Sequence, residues 1–97
     1  MLAVRKAGKL PPPVVSQSYQ LEYGSAELEI PENIDVAGRK VLVVDDVLAT
    51  GGTIAATVEL LRSRGADVVA AAVVLEISAL GGRSRCAGYP LACLRLV

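Results

Sequence analysis

Val41-Leu42-Val43-Val44-Asp45-Asp46-Val47-Leu48-Ala49-Thr50-Gly51-Gly52-Thr53 is the stretch that decides the fold of this chain. Its apolar run, Val41 to Val44, ends in two adjacent carboxylates, and a Thr-Gly-Gly-Thr turn follows. A helical pattern of apolar residues starts directly afterwards, with Ile54, Val58 and Leu61 on one stripe. Backbone N–H groups of a glycine turn at a helix N-terminus can wrap a phosphate. Carboxylates at the end of a strand can accept hydrogen bonds from ribose hydroxyls or hold a hydrated Mg²⁺. The segment is therefore built in two parts, each suited to one half of a sugar phosphate.

The surrounding sequence extends this unit. Arg39 to Asp46 is predicted to be a strand that is apolar on both faces, as in a buried parallel sheet. Thr53 is the expected N-cap of a helix to Arg64, with Gly65 closing it. Asp67 to Glu76 and Leu91 to Val97 read as two further strands, so residues 40–76 form a βαβ unit with a parallel sheet. Upstream, Leu2 to Val4 reads as a short strand, and Gly8 to Ser18, with three consecutive prolines, as a loop. Tyr19, Leu21 and Tyr23 alternate with polar residues, as do Ala26, Leu28 and Ile30. This is a hairpin over Ser18 to Ile30, with Gly24-Ser25 as the expected two-residue turn and Pro31 as its stop.

Composition removes several chemistries. The chain has 97 residues, enough for one small domain. Its three aromatic residues are all Tyr, so the core must be aliphatic. There is no His, which excludes a Ser-His-Asp triad, a Cys-His dyad and His-ligated zinc within the chain. Cys86 and Cys93 lack zinc-finger or CxxC spacing and are expected to be reduced thiols. Ten basic and ten acidic residues balance, which gives no electrostatic signature of nucleic-acid binding. No stretch approaches the roughly 20 apolar residues of a membrane span, and the N-terminal apolar run is too short for a signal peptide. A soluble, cytoplasmic protein is expected.

Two common glycine-loop motifs do not fit. A dinucleotide-binding loop needs Gly-x-Gly-x-x-Gly with an acid well downstream, whereas here the acids precede Gly51-Gly52. A Walker A loop needs a Lys between the glycine and Thr53, and none is present. The alternative is an ordinary strand-to-helix turn with solvated acids. The whole thirteen-residue string, however, resembles the phosphoribosyl pyrophosphate (PRPP) motif of type I phosphoribosyltransferases. The segments Arg5 to Pro11, Tyr19 to Gly24, Ala26 to Ile30 and Leu75-Glu76-Ile77 are similar to the adenine-specific branch of that family.

The resemblance implies a type I phosphoribosyltransferase-like α/β fold, a parallel sheet with a flanking helix and a β-hairpin hood. Residues 8–30 would be the hood and 39–97 the PRPP-binding and C-terminal part. It implies transfer of the phosphoribosyl group from PRPP to adenine, giving AMP and pyrophosphate with Mg²⁺, in a homodimer. Ala49, Thr50, Gly51, Gly52 and Thr53 would hold the 5′-phosphate. Asp45 and Asp46 would face the ribose hydroxyls and, through water or PRPP, the metal. Arg5, Lys6 and Lys9 match the pyrophosphate cations, or form a solvated basic patch. Glu22 matches a proton-handling carboxylate near the base, or is an outward strand acid. Tyr23 would shape the closed hood, and Ile77 would pack on the adenine ring, or be a core residue.

The family's N-terminal region has no counterpart before residue 2, so the chain is expected to be truncated there. Its sheet is then expected to show an open edge and an uncovered apolar face, and its isolated activity to be weak or absent. Three other functions compete: a PRPP-binding regulatory module without catalysis, a transferase for another purine, and one piece of a split assembly.

Overall fold

The computed structural model describes residues 5–6, 14–21, 24–31, 35–86 and 88–97, with side chains over 28–30, 35–86 and 88–97. In chain order its elements are β1 (Arg5–Lys6), β2 (Val14–Leu21), β3 (Gly24–Pro31), β4 (Lys40–Leu48), α1 (Gly52–Ser63), β5 (Asp67–Glu76) and β6 (Leu91–Leu96). Two short 3₁₀ turns, Ser78–Leu80 and Gly82–Cys86, connect β5 to β6. The expected strand at Leu2 to Val4 and the triple proline lie outside the described residues, as do Lys9, Glu22 and Tyr23.

Strands β4, β5 and β6 form one sheet in that order, all parallel. The expected βαβ unit is present, with β5 on the anticipated residues, while β4 starts one residue later and ends two residues later than expected. Val47 and Leu48 continue the ladder opposite Leu75 and Glu76, so Asp45 and Asp46 stand inside the strand. Helix α1 starts one residue before Thr53, and its N-cap is Gly51, with no side-chain cap. Its far end is a Schellman closure: the Gly65 N–H donates to the Arg62 carbonyl at 2.9 Å and the Ala66 N–H to the Leu61 carbonyl at 3.1 Å. Gly65 takes φ +86°, the left-handed value this closure requires.

The hairpin sheet has the order β1-β3-β2, all antiparallel. Its details differ from the sequence expectation. Val14 and Val15, read as loop, pair with Pro31 and Ile30, and their β-branched side chains suit an extended strand. Gly24 and Ser25, read as the turn, pair with Leu21 and Gln20 instead. A turn at Gly24-Ser25 would set Glu22 opposite Glu27, a repulsive pair. The observed register places Ser18 opposite Glu27 and Ser16 opposite Glu29.

The core joins these layers through the helix. Ile54, Val58 and Leu61 of α1 pack with Val43, Leu48, Val68, Ala71 and Val73 of the parallel sheet. Ala56 and Leu60, also buried, lie on the helix whose other flank the hairpin strands approach, and Leu28 and Ile30 of β3 are buried too. Leu48, Ile54, Leu60 and Ile30 are almost wholly enclosed, and each contributes about 1.5–3 kcal/mol of burial.

Among the described residues, the second face of the parallel sheet is largely uncovered. The expectation that Val41 to Val44 is covered on both sides is corrected: Val43 is 7% exposed, whereas Val44 is 69% exposed. Alternate strand residues point to opposite faces, and α1 covers only one of them. Leu42, Val69, Val74 and Leu94 are exposed as well, an uncovered apolar surface of the kind the sequence led us to expect.

Candidate functional site

All three parallel strands end at the same rim, where α1 begins. In open α/β sheets this carboxyl rim is where ligands bind. It carries Asp45, Asp46, Ala49 to Thr53 and Ile77. Residues 47–54 wrap a recess of about 60 Å³. Gly51, at φ +86°, turns the chain into the helix, and its carbonyl accepts the first helical N–H, from Ala55, at 2.9 Å. The amides of the first helical turn, from Gly52 onward, have no partner within the helix, so the loop presents donors and the positive end of the helix dipole. This arrangement suits a phosphate and needs no side chain.

The carboxylates stand just before the recess. Oδ1 of Asp45 accepts the Asp46 N–H at 2.8 Å, and Oδ1 of Asp46 accepts the Val47 N–H at 2.8 Å. These bonds orient both side chains. Partial burial raises the Asp45 carboxyl above the usual aspartate value, with the neighbouring Asp46 charge adding to the effect. A cation or a ribose hydroxyl at this point would offset that cost. A second, larger groove of about 640 Å³ runs along β4 from Asp45 and Thr53 past Thr57 and Val43 to Leu28. The Thr57 hydroxyl donates to the Thr53 carbonyl at 2.7 Å.

Hard carboxylate oxygens suit Mg²⁺, but no cluster of three or more potential metal ligands occurs among the described residues. The donor set fits an ion held by one or two carboxylates, with the rest of its shell from water and substrate phosphates.

Residues 76–83 support the loop from below, and of these no sign in the sequence marks Gly82 and Arg83 for that role. The Ile77 N–H donates to the Leu48 carbonyl at 2.9 Å, which ties the end of β5 to the start of the loop. Gly82 lies directly against the loop: a Cβ there would strike the Ala49 carbonyl oxygen and sit 2.8 Å from the Gly51 nitrogen. A Cβ on Gly51 would strike the Gly82 carbonyl in turn. Next to Gly82, the Arg83 guanidinium holds the nearly buried Glu76 through two bonds, Nη2 to Oε1 at 2.6 Å and Nε to Oε2 at 3.1 Å. Its Nη1 donates to the Leu91 carbonyl at 2.8 Å. The Arg83 hydrogen bonds hold the Glu76 carboxyl below its usual range. Gly81-Gly82 is legible as a turn, but nothing in the sequence shows what it touches.

The structure thus brings Asp45, Asp46, residues 49–53 and the half-buried Ile77 to one rim. Arg5 and Lys6 form β1 in the other sheet, opposite Glu29 and Leu28. Glu22, Tyr23 and Lys9 fall outside the described residues.

Comparison with known proteins agrees with this geometry. The chain is 64% identical over 98 aligned residues to an adenine phosphoribosyltransferase of Mycobacteroides abscessus, covering all of this chain and 55% of the relative. A crystal structure of adenine phosphoribosyltransferase from Thermoanaerobacter pseudethanolicus superposes with a TM-score of 0.94 at 42% identity, covering 99% of this chain and 56% of that one. The Saccharomyces cerevisiae enzyme was solved with adenine and an imino-altritol bisphosphate. It superposes with a TM-score of 0.88 at 41% identity, over 97% of this chain and 53% of its own. The chain spans about half the length of the curated relatives it matches. The model of the phosphoribosyl transferase domain matches residues 2–88, and on that match, with the strand, acid pair and phosphate-type loop described above, the chain belongs to the phosphoribosyl transferase domain family.

Proposed function

We propose that this chain carries the PRPP-binding part of an adenine phosphoribosyltransferase, the enzyme that joins adenine to PRPP to give AMP and pyrophosphate in purine salvage. The observation that carries the reading is the fold of Val41 to Thr53: a parallel strand, two oriented carboxylates and a glycine loop opening a helix, in that order. The adenine and the bisphosphate bound by the yeast neighbour are the ligand types such a site would take.

In this reading the amides of Gly51 to Thr53 and the hydroxyls of Thr50 and Thr53 bind the 5′-phosphate. Asp45 and Asp46 accept hydrogen bonds from the ribose hydroxyls and orient the ring. As the bond from C1′ to pyrophosphate breaks, positive charge builds on the ribose, and the nearby carboxylates stabilise it. Ile77, at the end of β5, supplies an apolar surface for the base. Glu22 handles the proton of adenine, Tyr23 shapes the hood, and Arg5, Lys6 and Lys9 assist the departing pyrophosphate. Asp45 and Asp46 would hold Mg²⁺ through water or substrate, and the ion would supply charge neutralisation at the pyrophosphate. The resemblance further supports a homodimeric, cytoplasmic enzyme.

Calorimetric titration of the purified chain with PRPP and Mg²⁺, followed by addition of adenine, tests this reading. PRPP binding that weakens in Asp46→Asn, with AMP formed on addition of adenine, is the expected result. Absence of PRPP binding by folded protein would overturn it. Binding without AMP would instead leave a PRPP-binding module.

A further inference from the structure

The loop that meets the phosphate is only as ordered as what lies beneath it. An anion site made of backbone amides gains affinity when its donors are held in place before the ligand arrives. Ala49, Thr50 and Gly51 have no regular secondary structure of their own, so neighbouring segments must fix them. The contacts below the loop come from residues 76–83.

Glu76 pairs with Leu48 in the sheet register, immediately beside the residue that precedes the loop. Its side chain is 7% exposed, and a charge so placed requires a partner. Arg83 supplies that partner through its planar fork and also grips the Leu91 carbonyl at the start of β6. Arg83 is thereby fixed to two strands, and Gly82, one residue earlier, is set against the backbone of Ala49 to Gly51 with no room for a side chain on either glycine.

We propose that Gly82, held by the Glu76–Arg83 pair, is a positioning residue of the phosphate loop: it sets the loop amides in the arrangement that receives a ribose 5-phosphate, without itself touching the ligand. The inference rests on the reading of residues 49–53 as a 5′-phosphate site. It predicts that affinity for the phosphate can be lost from a segment on the far side of the loop while the fold persists.

Gly81 provides the internal control. It takes φ +65°, yet a Cβ there meets nothing within 4 Å, so Gly81→Ala strains the same turn without reaching the loop. The experiment titrates wild type, Gly82→Ala, Gly81→Ala and Arg83→Lys with ribose 5-phosphate by calorimetry. Thermal unfolding and the amide shifts of Gly51, Gly52 and Thr53 are recorded for each. Gly82→Ala is expected to weaken binding about tenfold or more and to move those three amides in the ligand-free protein, as expected when a preorganised donor set is disturbed. Gly81→Ala should lower the unfolding temperature yet bind like wild type. Arg83→Lys keeps the charge but loses the fork, and should weaken binding by a smaller factor; it decides the question if Gly82→Ala fails to fold. Wild-type affinity in folded Gly82→Ala or Arg83→Lys overturns the positioning role and leaves the phosphate site standing. No binding by wild type overturns the phosphate site, and the positioning role with it.

Discussion

Val43 and Val44 are adjacent, chemically identical and in the same strand, yet one is 7% exposed and the other 69%. Truncating each to Ala therefore isolates burial, because the loss of β-propensity is shared. Two methyl groups are worth about 1.6 kcal/mol when fully buried, at about 0.8 kcal/mol for each carbon. Scaled by burial, Val43→Ala should cost about 1.5 kcal/mol and Val44→Ala about 0.5 kcal/mol. A residual cavity beside Leu48 and Val73 adds to the first figure, since a packed core relaxes only partly. The difference, about 1 kcal/mol or more, corresponds to about 4–8 °C in Tm for a domain of this size. Thermal and urea unfolding of the two variants, measured side by side, check it. Equal destabilisation would refute a one-sided sheet, and would show that the surface bearing Val44 is covered in solution.

Three further outcomes follow from the site and its supports. The folded Asp45 carboxyl has a raised pKa, so its ionised form subtracts stability at neutral pH. Asp45→Asn should therefore raise Tm at neutral pH, with the gain vanishing below the unfolded aspartate pKa, while PRPP affinity falls; a lower Tm at neutral pH would contradict this. Glu76 is shifted the other way. Its contribution is complete above the unfolded glutamate value and is lost as pH falls through the depressed folded one, so Glu76→Gln should be less stable near neutrality and converge with wild type in acid. Urea midpoints across that range report the step. Finally, Gly65→Ala should cost more than Gly38→Ala: both are left-handed, at roughly 1–2 kcal/mol for the strain alone, but a Cβ on Gly65 meets Ala37 at 3.3 Å and one on Gly38 meets open space. Equal Tm changes would show that the approach to Ala37 carries nothing.

Much of the parallel unit was legible because local signals agreed with one another. Val68 to Leu75 is an unbroken apolar run bounded by Asp67 and Glu76, and it is a strand over those residues. Gly65 closes α1 through the left-handed geometry that its lack of Cβ allows. The errors came where a local signal competed with pairing. Gly24-Ser25 is a good turn pair in isolation, but the partner strand decides the register, and acids facing acids would oppose that turn. Which face of Val41 to Val44 is covered depends on where α1 lies, and an apolar run does not encode that. The acid pair and the glycine loop could be read as a candidate site because their residues are contiguous. The support from Glu76, Gly82 and Arg83 could not, because it depends on Leu48 and Glu76 standing side by side in the sheet.

The common direction of β4, β5 and β6 divides the molecule's tolerance for change. Every strand leaves the sheet at the rim that holds the acids and the loop, and every strand enters at the opposite rim, through residues 35–39, 64–66 and the segment ending at Pro90. A change of connection length at the entry rim lengthens a turn and leaves the atoms of the exit rim where they were. The same change at the exit rim moves a donor or a carboxylate. Insertions, affinity tags and cut sites for circular permutation are therefore best placed beside the strand entries, while the exit rim of this chain has a fixed length.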